Sequence, residues 1–200
     1  AIDVTISERT ATAMLYATKS DTLFFARHTK REDLDAFTYL YPLADPAMIR
    51  KMEGAEITLE RMEYVRRAIE RGRVREQVFT AFLGASTRED FVPYAADFFL
   101  QLEDVKWTVI AGVVDGALVV SVRNLGYSRN AGEFVRKNFA DIGSAGGHRS
   151  MAKAVVPIAR FQEKFGDLGD AEMSQQLQAM IEAFRKDQPG SERRKEPLKA

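Results

Sequence analysis

The spacing of hydrophobic positions changes part-way along the chain. Up to about residue 72 they recur at helical intervals, and from Val74 onward they alternate or run together as strands do. After Ser7, a natural N-cap, residues Ala11, Met14, Leu15 and Ala17 fall on one helical face. Thr29 and Glu32 have the spacing of a capping box for a second helix, which Pro42 stops. Asp45-Pro46 joins a cap to a proline at the first helical position, and Gly54 closes that short helix. A helix over residues 58–72 carries only a narrow stripe, Met62, Val65 and Ile69. Being polar elsewhere, it reads as a connector between domains, with Glu63 paired to Arg67 one turn on.

The second half reads differently. Residues 77–83 form a strand, and a helix over 88–102 sets Phe91, Ala95, Phe98 and Leu102 on one face. Two apolar runs, 106–114 and 117–124, flank Asp115-Gly116, the strongest short-range signal for a β-hairpin. The first run is apolar at both alternating sets of positions, as in a sheet covered on both faces. In the second, the period of two brings Ser121 and Arg123 to the same face. Asn130 and Glu133 cap a helix over Ala131, Val135 and Phe139, and residues 152–157 form a further strand. Met173, Leu177, Met180, Ile181 and Phe184 make a helical packing face. The polar, proline-containing end reads as a disordered tail. The predicted class is α/β: a helical part over 1–56, a connecting helix over 57–73, a mixed-sheet domain over 74–186 and a tail over 187–200.

Composition narrows the partners. Basic and acidic residues both number 29, so the net charge is zero. A general nucleic-acid coat protein, which needs excess basic charge, is therefore excluded, whereas a local phosphate site is not. With no cysteine, the chain has no disulfide, thiolate metal site or cysteine nucleophile, and fits the cytoplasm. It shows no long apolar run and no signal peptide, so no membrane partner is expected. It begins Ala1-Ile2-Asp3 without a methionine, as a fragment or processed product would.

Candidate chemistry gathers at Gly143-Ser144-Ala145-Gly146-Gly147-His148-Arg149-Ser150. Glycine permits turns and close approach of a ligand to the main chain, while the histidine and arginine offer donors suited to phosphate. Arg66, Arg67, Arg71, Arg73 and Arg75 form a basic run, but Glu63, Glu70 and Glu76 are near enough to make it a solvated, ion-paired face.

Several of these stretches together resemble the DHH-family phosphoesterases. The run from Thr10 to Thr22, containing Lys19-Ser20-Asp21-Thr22, is similar to that family's helix and fourth motif. Ser121-Val122-Arg123, Asn130-Ala131-Gly132 and Gly146-Gly147-His148 resemble its substrate-binding domain, in the family's order, over about residues 8–157. The nearest branch is the bacterial one acting on short RNA and nucleotide phosphates, some members of which carry an exopolyphosphatase-like label.

The resemblance implies roles. Residues 1–56 become the end of a catalytic lobe, and Asp21 a ligand of a catalytic Mn2+ ion. Ser121, Arg123, Gly146, Gly147 and His148 become the groups that hold a phosphate or nucleotide. Two metal ions in such a site activate water and stabilise the leaving oxygen. The family's first three motifs, rich in aspartate and histidine, are expected upstream of residue 1. Asp33-Leu34-Asp35 repeats the spacing of the first, but in the opening turns of a helix, where acids are ordinary. The glycine motif also has Ser144-Ala145 before Gly146 in place of the commoner triple glycine.

Two functions follow from different classes. One is the substrate-binding part of a manganese-dependent phosphoesterase, inactive alone, acting on an oligoribonucleotide, adenosine bisphosphate, cyclic dinucleotide or polyphosphate. The other is a non-catalytic phosphate- or nucleic-acid-binding module. The partners are a short single-stranded nucleic acid or nucleotide phosphate and the catalytic lobe itself. Leu15, Phe24, Phe25, Phe37 and Leu40 would lie against that lobe's sheet, or against a second copy of the chain in a homodimer.

Overall fold

A computed structural model describes residues 5–22, 24–25, 29–54, 57–86, 88–125 and 129–187. The chain divides into two compact units, residues 1–59 and 60–200.

The first unit is helical: α1 (Glu8–Asp21), α2 (Arg31–Leu40), a 3-10 turn (Tyr41–Leu43) and α3 (Pro46–Gly54). Ser7 caps α1 by accepting the Thr10 N–H, and Asp45 caps α3 by accepting from Ala47 and Met48. The cap of α2 is not the expected one. Lys30 is the cap residue, and the Asp33 carboxylate accepts its N–H at 2.8 Å. Asp33 thus serves the helix start, as a first-turn acid should. The unit's own core is small: Ala11, Leu15, Leu40 and Ile49, flanked by Ile6, Tyr16, Phe37 and Ala44. Leu15 and Leu40, expected against another lobe, are consumed in that core instead. Phe24 is 58% exposed, and Met14, Leu34, Tyr39, Tyr41 and Met48 are exposed as well.

The second unit opens with α4 (Leu59–Arg71) and is built on a six-stranded sheet: β1 (Arg73–Arg75), β2 (Val78–Ala85), β3 (Trp107–Val114), β4 (Ala117–Asn124), β5 (Ser144–Gly147) and β6 (Met151–Pro157). Their order is β1-β2-β3-β4-β6-β5, with β2 and β3 parallel and every other neighbour antiparallel. The parallel pair needs a crossover, supplied by α5 (Phe91–Phe99). The hairpin between β3 and β4 turns at Asp115 and Gly116, with φ of 47° and 75°. Two positive φ values in a two-residue loop match the right-handed twist of the strands, which is why Asp-Gly stands there.

Both faces of the sheet are covered. Tyr64, Val65 and Ala68 of α4 join Phe91, Val92, Ala95, Ala96 and Phe99 of α5 on one side. On the other, α6 (Ala131–Phe139), α7 (Ile158–Phe165) and α8 (Asp170–Lys186) pack Phe134, Phe139, Phe161, Leu177 and Ile181 onto Leu118, Val120, Val122 and Ala154. Two helical faces are rotated from the expected ones. In α4, Tyr64 and Ala68 are buried while Ile69 is 64% exposed, so this helix is part of the domain core and not a bare connector. In α5, Val92, Ala96 and Phe99 take the buried positions assigned to Phe98 and Leu102, both exposed. The predicted tail lies outside the described residues apart from Asp187.

Four arginines of the basic run are ion-paired. Arg66 bonds Glu63 and Glu70, Arg67 bonds Glu63, Arg71 bonds Asp170, and Arg75 lies beside Glu182. Hydrogen bonds from Arg66 and then Arg67 hold the Glu63 carboxyl below its ordinary 4.5, at about 2. Because the folded value lies below the unfolded one, this stabilisation is complete above the unfolded value and is lost as pH falls toward the folded one. On acidification through that window, Glu63→Gln is expected to lose less thermal stability than the parent chain. Parallel melting curves for the two proteins would contradict the assignment.

Candidate phosphate-binding face

The site is built by three adjacent strands, β4, β6 and β5. Ser121 pairs with Lys153, and Lys153 pairs with Gly146, so these three residues form one row across the sheet. Arg123 pairs with Met151, whose carbonyl accepts the His148 N–H at 2.7 Å, so Arg123, Met151 and His148 form the next row. Strands lie about 4.8 Å apart, which puts roughly 10 Å between the Arg123 and His148 main chains. The register therefore brings together residues that are far apart in sequence. The face they share is the α5 side, since the intervening Val120, Val122, Ala152 and Ala154 lie in the opposite core.

Arg123 is the best-defined side chain here. It is largely buried, at 12% exposure, and Nε donates to Asp97 Oδ1 of α5 at 2.8 Å. Nη1 donates to Ser121 Oγ at 2.9 Å and to the Val122 carbonyl at 3.2 Å. Ser121 itself is 1% exposed, so its role is to position the guanidinium from below. The Nη2 hydrogens have no partner among the described residues, leaving one side of the fork to donate outward. Asp97 was not legible as a site residue in sequence, because only the packing of α5 on β4 brings it to Arg123.

The glycine stretch is an edge strand and its hairpin. Its glycines differ in purpose. Gly147 has φ of 145°, and a Cβ there would stand 2.4 Å from Ala152 Cα. Gly132, at the start of α6, approaches so closely that a Cβ would lie 2.6 Å from the Gly147 carbonyl oxygen. Both are demanded by packing. A Cβ on Gly146 would meet nothing within 4 Å, and its φ is not positive. Neither sterics nor conformation requires glycine there; its effect is to leave the face beside Lys153 open.

The hairpin is anchored from below. Ala131 N–H donates to the Arg149 carbonyl at 2.9 Å and Gly132 N–H to the His148 carbonyl at 3.0 Å. Asn124, buried at the end of β4, donates through Nδ2 to the Arg149 carbonyl at 2.9 Å, and its backbone N–H donates to the Ser150 carbonyl. The expected Asn130 cap is present, accepting the Glu133 N–H at 3.3 Å. His148 is exposed above this anchored turn. Lys153, which sequence reasoning missed, is exposed in the middle of the first row and ion-paired with Glu89. Its only sequence signal was a polar residue in an otherwise apolar strand, which is uninformative until the register is known.

Asp21 is the last residue of α1, in the first unit, and is exposed. The chain beyond it is bent: Phe24 and Phe25 have φ of 55° and 64°, unusual for bulky residues. His28 lies outside the described residues. Among the described residues no group of three or more His, Cys, Asp or Glu side chains is placed to hold a metal ion. The donors described here therefore do not by themselves fit a manganese centre. No helix among the described residues is long and apolar enough to cross a membrane.

No family model matches the chain. An uncharacterized protein of Methanocaldococcus jannaschii is 33% identical over 162 residues, which cover 80% of this chain and 33% of that protein. An exopolyphosphatase-related protein from Bacteroides fragilis superposes with a TM-score of 0.67 at 14% identity, over 90% of this chain and 52% of that one. RecJ from Thermus thermophilus gives a TM-score of 0.43 at 12% identity, over 90% of this chain and 25% of RecJ. The chain shares the fold of that exopolyphosphatase-related protein over the matched part. It spans about a third of the curated relative and about half of the Bacteroides structure.

The unequal glycines give a direct test. Gly147→Ala is expected to cost about 2–5 kcal/mol, from a strained φ and a clash that the backbone of β6 must absorb. Gly146→Ala should leave stability unchanged or raise it by up to about 1 kcal/mol. Chemical denaturation of both variants checks this, and equal losses would refute the division of roles.

Proposed function

We propose that the chain is the substrate-binding part of a DHH-type phosphoesterase, gripping phosphate groups of a short oligonucleotide or nucleotide on the β4–β6–β5 face. The observation that carries this reading is Arg123: a largely buried guanidinium, fixed on one side by Asp97 and Ser121 and open on the other. A cation immobilised before ligand arrives loses little side-chain entropy on binding, and its free N–H groups suit a phosphate oxygen. His148, on the exposed hairpin two strands away, supplies a further donor to the same ligand. Met151 of β6 lies between them, and Gly146, in the neighbouring row, leaves its part of the face without a side chain.

In this reading the bond-breaking chemistry of the whole protein depends on Mn2+, with Asp21 as one ligand and the others supplied from outside the residues described here. This chain's own part is to bind and orient the phosphate. The cysteine-free sequence suits a reducing cytoplasm.

Titration of adenosine 5′-monophosphate or a short oligoribonucleotide tests the grip. Arg123→Ala is expected to weaken binding by about tenfold to a hundredfold, the worth of a hydrogen bond to a charged group. Arg123→Lys should recover only part, because an ammonium keeps the charge and loses the fork. His148→Ala should also weaken binding. Equal affinity of parent and variants, with folding intact, would leave the face without a ligand-binding role. The 200 residues alone are expected to show no manganese-dependent hydrolysis, since one aspartate cannot hold a two-metal site. Robust turnover by the isolated chain would overturn this assignment, whereas binding without turnover from a chain extended by upstream sequence would favour a non-catalytic module.

A further inference from the structure

We infer that Lys153 and Glu89 form a second anion subsite on the same face, taking a second phosphate group of the ligand in exchange for the Glu89 carboxylate. This inference rests on the phosphate-binding reading of Arg123 and adds a preference for ligands bearing two phosphates.

Lys153 occupies β6, the strand between β4 and β5, with Ser121 on one side and Gly146 on the other. It is a diagonal neighbour of Arg123, one strand over and two residues along, a relation that separates the two main-chain positions by about 7–8 Å. Their charged heads are drawn further apart. Arg123 is held by Asp97, in the last turn of α5, while Lys153 is held by Glu89, just before its first turn. Eight residues separate those carboxylates, equivalent to roughly 12 Å of helix. One phosphate cannot satisfy two cations held at opposite ends of a helix, so the face offers two subsites.

The two subsites differ in character. At the first, the cation is mostly buried and its carboxylate is part of the support. At the second, both partners are about half exposed, so the ion pair is weak and readily exchanged. Next to it stands Gly146, where a side chain would meet nothing and yet none is present. An exchangeable lysine beside an unexplained gap is what a second phosphate requires: a charge to meet and room to enter. A carboxylate already resting on that lysine discriminates against ligands too weakly charged to displace it.

The test compares adenosine 5′-monophosphate with adenosine 3′,5′-bisphosphate, which differ by one phosphate, and adds a 5′-phosphorylated diribonucleotide to separate a nucleotide source from an oligonucleotide one. The readout is the ratio of affinities for two-phosphate and one-phosphate ligands in the full chain. Lys153→Ala is expected to shrink that ratio by about tenfold or more, and Lys153→Arg to preserve most of it. Glu89→Gln should raise the ratio by about two- to fivefold by removing the competing carboxylate. A ratio unchanged in Lys153→Ala, or lowered in Glu89→Gln, overturns the second subsite. Failure of the underlying reading looks different: Arg123→Ala would then leave binding of the monophosphate unaltered. A gain confined to the diribonucleotide assigns the subsite to an oligonucleotide backbone, and a gain confined to the bisphosphate assigns it to a mononucleotide.

Discussion

The candidate face depends on two backbone hydrogen bonds, from Ala131 N–H to the Arg149 carbonyl and from Gly132 N–H to the His148 carbonyl. A helix N-terminus carries unsatisfied donors and partial positive charge, and is often where an anion binds. Here the first donors of α6 are spent on the main chain of the hairpin instead. Their effect is to hold β5 against β6 in one register, and that register alone lines up Gly146 with Lys153 and Ser121. The contact is close because residue 132 is glycine: a Cβ there would meet the Gly147 carbonyl oxygen, whereas a Cβ on Gly147 would strike Ala152 of β6. The two-residue turn at Arg149 and Ser150, closed by the bond from His148 N–H to the Met151 carbonyl, sets the same register from within the hairpin.

Much of the fold could be read before the structure was known, and the reasons are local. The Asp115-Gly116 hairpin was legible because a two-residue loop with both φ values positive selects that dipeptide. The caps at Ser7, Asp45 and Asn130 were legible because a cap is a contact within three residues. The cap of α2 was misplaced by one position because Thr29 and Asp33 offer competing starts, and the carboxylate of Asp33 wins. The burial of Tyr64 and Ala68 in place of Ile69 was not legible, since helical spacing limits a face to an arc and only the packing partner selects its centre.

The site divides in the same way. Ser121 and Arg123 were found together because alternation within one strand is a local property. Their relation to Gly146 came from the family resemblance, not from any spacing, because strand order β4-β6-β5 brings a late hairpin beside an earlier strand. Lys153, Glu89 and Asp97 were missed for the same physical reason. Each acquires meaning through a partner 26 or 64 residues away, the first separation being that of Asp97 from Arg123 and the second that of Glu89 from Lys153. Charge balance conceals them further: each cation on the face is matched by a carboxylate from the α5 side, so composition shows no basic excess.

The central claim is that a phosphate-bearing ligand lies across β4, β6 and β5 on the α5 side. A crystal structure of the chain with adenosine 3′,5′-bisphosphate tests it most directly. The account predicts phosphorus density within hydrogen-bonding reach of Arg123 Nη2, a second phosphate near Lys153, and Glu89 turned away from that lysine. Ligand bound elsewhere on the chain, with the Arg123 and Lys153 ion pairs and the space over Gly146 unaltered, would contradict it.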